Sequence, residues 1–260
     1  MPLADSFRDR TFTVTDPDAR IRRDGDLMSF VPAPGGGFQT IPRGTAVRID
    51  QVRLAEAGSK TSIVFGRAMS ADGAKALGWT STRNLDGKFV NETLERVAPE
   101  AGASRFGPNA AWSGGAFIGQ IELAAIVDSK LEIERVALST VGPYKDLVAA
   151  AAGDGIVVTL NSGFRSYGEQ KLLFDGFQKG LPNFNQAARP GFSNHQNGSA
   201  FDLPVAGGDG NPTYEWLKRH ATSFGFVRTV TGEPWHWEFD EAKASAARAK
   251  GTFKAPNVKA

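Results

Sequence analysis

Cysteine is absent from this 260-residue chain. Its absence excludes disulfides, thiolate nucleophiles and every cysteine-ligated metal site, so a metal here has only histidine and carboxylate to bind. Histidine is itself scarce, with three in all. Long hydrophobic runs are missing too: no stretch reaches the roughly 18 to 20 apolar residues of a membrane span. The N-terminal MPLADSFRDRTFTV has neither the positive start nor the apolar run of a secretory signal, so work outside the cytoplasm is expected to need another route of delivery.

Nor is there an excess of one charge. Thirty Lys and Arg against 28 Asp and Glu leave +2, and the basic residues are spread along the chain apart from a mildly basic C-terminal tail. That pattern gives no footprint for nucleic acid. The isoelectric point near 8.9 is compatible with attraction to an anionic polymer such as a bacterial envelope.

What is present is an ordinary globular composition, 41% hydrophobic and 22% charged, in a chain long enough for a small module and a larger one. Residues 18–97 read as short strands: ARIRR, DLMSFVP, FQTIP, TAVRIDQVRL and TSIVFGRAM, separated by turn clusters such as PAPGGG and EAGSK. Val47 and Ile49 alternate with Arg48 and Asp50, as in a strand with one wet face. The phrase GWTSTRNLDGKF at 78–89 resembles the last strand and turn of bacterial SH3-like domains. The resemblance implies a small all-β SH3-like barrel over residues 1–97, with Trp79 in its core or at a ligand face.

Residues 98–117, rich in Ala, Gly, Ser and Pro, read as a linker. From 118 to 260 the pattern is mixed α and β. TVGPYKDLVAAAAGDG has a helix-forming body and a closing Gly, IVVTLNSGF reads as a β-branched strand, and SYGEQKLLFDGFQKG and YEWLKRHATSFGF read as amphipathic helices stopped by Gly.

Two of the three histidines lie in segments dense in Gly, Asp, Glu and Trp: SNHQNGSAFD, holding His195 and Asp202, and EPWHWEF, holding Glu233 and His236. A catalytic zinc needs about three His or carboxylate ligands, an open position for water, and a base that is not itself a ligand. Gly198 permits a tight bend after His195. The residues that follow read as a strand on which Ala200 and Asp202 share a face, leaving room beside the carboxylate. Pro234 disfavours a helix interior, so Glu233 and His236 are expected in a turn entering a strand, and the helical HExxH arrangement is absent.

The pattern Ser-x-His-x-x-Gly-x-Ala-x-Asp followed by Glu-x-x-His resembles the zinc D-alanyl-D-alanine carboxypeptidases of the VanY type, their dipeptidase relatives and phage L-alanyl-D-glutamate endolysins. The flanks SGFRSYGEQ, ARPGFSNHQNG and WLKRHATSFGF extend the resemblance over residues 118–240. It implies an α+β zinc peptidase domain, an antiparallel sheet flanked by helices, with one Zn2+ held by His195, Asp202 and His236 and with Glu233 as general base. Arg165 matches the arginine that binds substrate and stabilises the oxyanion; a structural ion pair is its other reading. Ser193 and Gln170 match positions near the substrate, or else cap a turn and a helix. His220 reads as a solvated helical residue.

The implied activity is hydrolysis of a peptide bond in the peptidoglycan stem peptide, by a carboxypeptidase or an endopeptidase, with the N-terminal module contacting the wall polymer. A zinc-containing wall-binding protein without turnover is the alternative. The expected place of action is the bacterial wall or periplasm, reached after lysis or through a secretion system.

Overall fold

The computed structural model describes residues 8–24, 29–57, 61–86, 90–99, 104–130 and 132–259. The expected turn at 58–60, the end of the SH3-like phrase at 87–89 and part of the expected linker at 100–103 lie outside the described residues. The chain divides into two compact units, Met1–Glu95 with Lys130–Ile133, and Arg96–Ser129 with Glu134–Ala260.

In the first unit β1 (Arg10–Thr13), β2 (Ala46–Ala57), β3 (Thr61–Ser70) and β4 (Ala76–Ser81) pair antiparallel in that order. The alternation in β2 is as expected: Val47 and Ile49 are buried with Phe12, Phe65 and Ala68, while Arg48 and Asp50 stay half-exposed. Closing a barrel requires a continuous ladder between the edges. Here the edges meet through single bridges, Val14 with Leu85 and Arg22 with Trp79. Among the described residues the four strands form an antiparallel run without a continuous closing ladder, so the all-β content expected here is present and the closed SH3-like barrel is not shown.

At 93–97 the chain forms β5 (Thr93–Val97). Within the stretch expected as a linker, β6 (Ala110–Ser113) and β7 (Ala116–Gln120) form a hairpin. Gly114 and Gly115, both at positive φ, make the two-residue turn that such a hairpin requires, and Trp112 is buried against Phe106 and Tyr167.

The rest of the second unit is α+β. β8 (Leu123–Val127) is buried along its whole length, and β9 (Glu132–Ala137) leads into α1 (Val141–Gly153). α2 (Tyr167–Gln178) starts at a capping box in which Ser166 and Glu169 satisfy each other's backbone N–H groups. A short 3-10 turn, Asn194–Asn197, precedes β10 (Ala200–Asp202). α3 (Pro212–His220) continues as a 3-10 turn to Phe224, where Gly225 in the left-handed region stops it. β11 (Phe226–Val230), β12 (His236–Phe239), α4 (Glu241–Ala249) and β13 (Lys254–Lys259) complete the unit.

The sheet order is β10-β12-β11-β13. Its first three strands are antiparallel, but β13, built from the basic tail, lies parallel to β11, so the expected antiparallel sheet is mixed. Residues 156–164 form no strand despite their β-branched composition. Their backbone makes isolated bonds instead, to Asp202 on one side and to Ser129 and Arg135 on the other. Tyr144, Leu147, Phe201, Phe226 and Trp237 are the centre of the core behind the sheet, each large side chain contributing about 1.5–3 kcal/mol by burial.

Candidate metal centre

Strand register places the first two groups. Asp202 on β10 is the partner of His236 on β12, so their side chains leave the same face of the sheet side by side. His236 Nδ1 lies 3.2 Å from Asp202 Oδ1. The third group arrives from the 3-10 turn: Ser193 caps that turn by accepting from the His195 N–H, and His195 Nε2 stands 3.3 Å from the same Oδ1.

Between turn and strand, Gly198 has φ +80°, and a Cβ there would lie 2.9 Å from that of Ala137. Only glycine meets both demands without strain. His195 itself sits on the 3-10 turn, with Gly198 as its left-handed cap.

All three side chains are buried, and their ligand atoms lie within 4.8 Å of one another. A tetrahedral zinc with bonds of about 2.0–2.1 Å has ligand–ligand edges of about 3.3 Å. The 3.2 and 3.3 Å separations at Asp202 match those edges. Two imidazoles and one carboxylate also form the hard-to-borderline donor set that zinc accepts at a catalytic centre. The residues present fit the ion.

The electrostatics favour deprotonated ligands at two of the three positions. Burial opposes charge on Asp202, yet His195, His236 and Arg165 hold its carboxyl well below the usual range. Burial, assisted by Arg165, pushes His195 down. His236 differs: burial works against its charged form, but hydrogen bonds to Asp202 and Glu238 outweigh it and raise the imidazole to about 9. A cation at Nδ1 would take the place of a proton there.

Around this cluster Arg165 donates to Asp202 Oδ2 at 3.1 Å and to the Ser162 hydroxyl, so its ion-pair reading is realised with one of the candidate ligands. Glu233 precedes the turn into β12, as Pro234 led us to expect. Its carboxylate is 42% exposed, with Oε2 3.9 Å from His236 Nδ1. Gln170 is buried, and its amide donates to the Ala188 carbonyl at 2.8 Å. It and Ser193 support backbone around the cluster. His220 stacks on Trp216, away from the three groups.

A cavity of about 560 Å³ opens beside Asp202, with Asn161, Val205, Pro234 and Trp235 among its walls. Trp237, on the opposite face of β12, is fully buried.

Three contributors escaped the sequence reading. The Gly163 carbonyl accepts from His195 Nδ1 at 2.7 Å. Glu238 lies on the far side of His236, its Oε1 3.3 Å from Nε2; its position two residues along the strand was the one available signal. Glu134 accepts from Gly163 N–H at 3.2 Å, and burial, with Asp128 and Glu169 nearby, pushes its carboxyl up to about 8.

Residues 134–242 match the family model described as VanY, D-alanyl-D-alanine carboxypeptidase. A D-alanyl-D-alanine carboxypeptidase of Enterococcus faecalis is 32% identical over 124 residues, covering 38% of this chain and 46% of its own. The Bacillus subtilis protein YodJ is 28% identical over 139 residues, covering 45% and 51%. The chain thus spans about half the length of these relatives. Among solved structures, the Zn(II) complex of a variant of the vancomycin-resistance D,D-pentapeptidase VanY aligns over 51% of this chain and 86% of its own, at 25% identity and a TM-score of 0.41.

Proposed function

Because residues 134–242 match the VanY family model, we propose that the second unit is a zinc peptidase acting on the peptidoglycan stem peptide. The observation that carries the proposal is the buried His195, Asp202 and His236 cluster, in which both imidazoles stand at a tetrahedral edge length from Asp202 and beside which a cavity bordered by Asp202 opens.

His195 Nε2, an oxygen of Asp202 and His236 Nδ1 would hold one zinc ion, which supplies Lewis-acid polarisation of a water and of the scissile carbonyl. Glu233, exposed at the edge of the cluster, takes the proton from the attacking water and passes it to the leaving amine. Arg165, held at 3.1 Å from Asp202, offers its remaining N–H groups to negative charge developing on the carbonyl oxygen. Trp235 and Pro234 form the wall against which a peptide side chain rests. The relatives' name makes a D-alanyl-D-alanine terminus the first substrate to try, and the N-terminal unit is proposed to contact the wall polymer.

The test is digestion of purified muropeptides by the zinc-loaded protein, read by mass spectrometry. Loss of a terminal alanine identifies a carboxypeptidase, and a cut inside the stem identifies an endopeptidase. A folded, zinc-loaded protein that leaves every muropeptide intact contradicts the proposal and favours a wall-binding role.

A further inference from the structure

Both histidines of the cluster have one ring nitrogen turned to Asp202 and the other turned outward, but their outer partners differ. For His195 the partner is a neutral backbone carbonyl, Gly163 O at 2.7 Å. For His236 it is a carboxylate, Glu238 Oε1 at 3.3 Å from Nε2. Glu238 is 5% exposed, a costly place for a carboxylate unless its oxygens are well used. Oε1 is well used: it also accepts from the Asn194 amide and from the Thr229 hydroxyl.

Those donors come from separate elements. Asn194 belongs to the 3-10 turn that carries His195, Thr229 to β11 and Glu238 to β12. One carboxylate thus ties both histidine-bearing segments to the sheet. The alternation of β12 puts Glu238 on the face of His236 and opposite Ala200, whose small side chain leaves the space it occupies.

We propose that Glu238 is a positioning residue of the metal centre: it accepts the Nε2 hydrogen of His236, fixes the ring, and leaves Nδ1 as the nitrogen offered to zinc. This rests on the zinc reading above. The physical argument is that an imidazole can present a lone pair at only one nitrogen when the other carries a hydrogen-bonded proton. A carboxylate acceptor also raises the basicity of the ligating nitrogen, and outer partners of this kind affect metal affinity by about 10- to 100-fold. With Asp202, Glu238 further supplies a second buried negative charge, so that the two carboxylates together balance a divalent ion.

The experiment compares zinc affinity, by competition with a chromophoric chelator, in the full-length wild type, Glu238→Gln and Glu238→Ala, and records long-range proton–nitrogen NMR of the zinc-loaded histidines. The expected result is zinc binding weakened about 10- to 100-fold in Glu238→Ala and distinctly less in Glu238→Gln, whose amide oxygen still accepts. In the wild type the His236 proton is expected on Nε2. Zinc bound as tightly by Glu238→Ala as by the wild type overturns the proposal alone, as does a wild-type His236 that carries its proton on Nδ1. The wild-type spectrum and Glu238→Gln decide the matter if Glu238→Ala does not fold. A folded wild type that takes up no zinc overturns the zinc reading and this proposal together.

Discussion

Asp202 and His236 are register partners on adjacent strands, and Oδ1 of the one faces Nδ1 of the other at 3.2 Å. The contact is made by backbone pairing, so the two groups stay together whether or not a metal is bound. Arg165 completes the arrangement by holding the second oxygen of Asp202.

Replacing Asp202 by Ala is expected to abolish tight zinc binding and to destabilise the metal-free protein by about 1–3 kcal/mol, because the largely buried Arg165 loses its partner. Chelator competition and urea unfolding of the metal-free variant check the two effects. Unchanged stability would show that Arg165 finds another partner.

Glu233 is exposed enough that Glu233→Gln should change stability by less than about 0.5 kcal/mol. Zinc affinity should stay close to wild type, while turnover of muropeptides falls by about 10²- to 10⁴-fold. A parallel loss of zinc would make Glu233 a ligand and contradict its role as base.

Glu134 sets a pH dependence of its own. Its carboxyl is raised to about 8 by burial, above the value of about 4.3 for an exposed glutamate. The folded state therefore binds the extra proton, and this contribution to stability is fully present below about pH 4 and is lost as the pH rises through 8. Glu134→Gln keeps an acceptor for Gly163 N–H and removes the titration. Relative to the wild type it should gain up to about 3.5 kcal/mol of stability between pH 5 and pH 8, measured as the difference between the two unfolding curves.

At Gly198, alanine meets both a positive φ and the side chain of Ala137. Gly198→Ala should cost about 1–3 kcal/mol and weaken zinc binding by displacing His195. Calorimetric unfolding and chelator competition, run on the same preparation, check both.

Much of the centre was legible because it is local. His195, Gly198 and Asp202 fall within eight residues, and their order specifies a turn followed by a strand; Pro234 gave the turn before His236. Helices α1 and α3 were legible for the same reason, through Ala and Leu in the body of one and Gly225 at the end of the other. What was missed depends on long-range pairing. IVVTLNSGF has strand composition, but its neighbours offer single bonds and no ladder. The basic tail became β13 because β11 has a free edge beside it, and Gly114-Gly115 made a hairpin inside a stretch whose composition reads as a linker. Glu238 and Glu134 gain their meaning from which group stands opposite them, and local composition carries no record of that.

The measurement that bears most directly on the central claim is the zinc content of the purified, folded protein, set beside that of His195→Ala and His236→Ala. One zinc per chain is expected in the wild type, lost from both variants at the same chelator concentration. A folded wild type without zinc affinity, or variants that retain zinc as the wild type does, would contradict that claim.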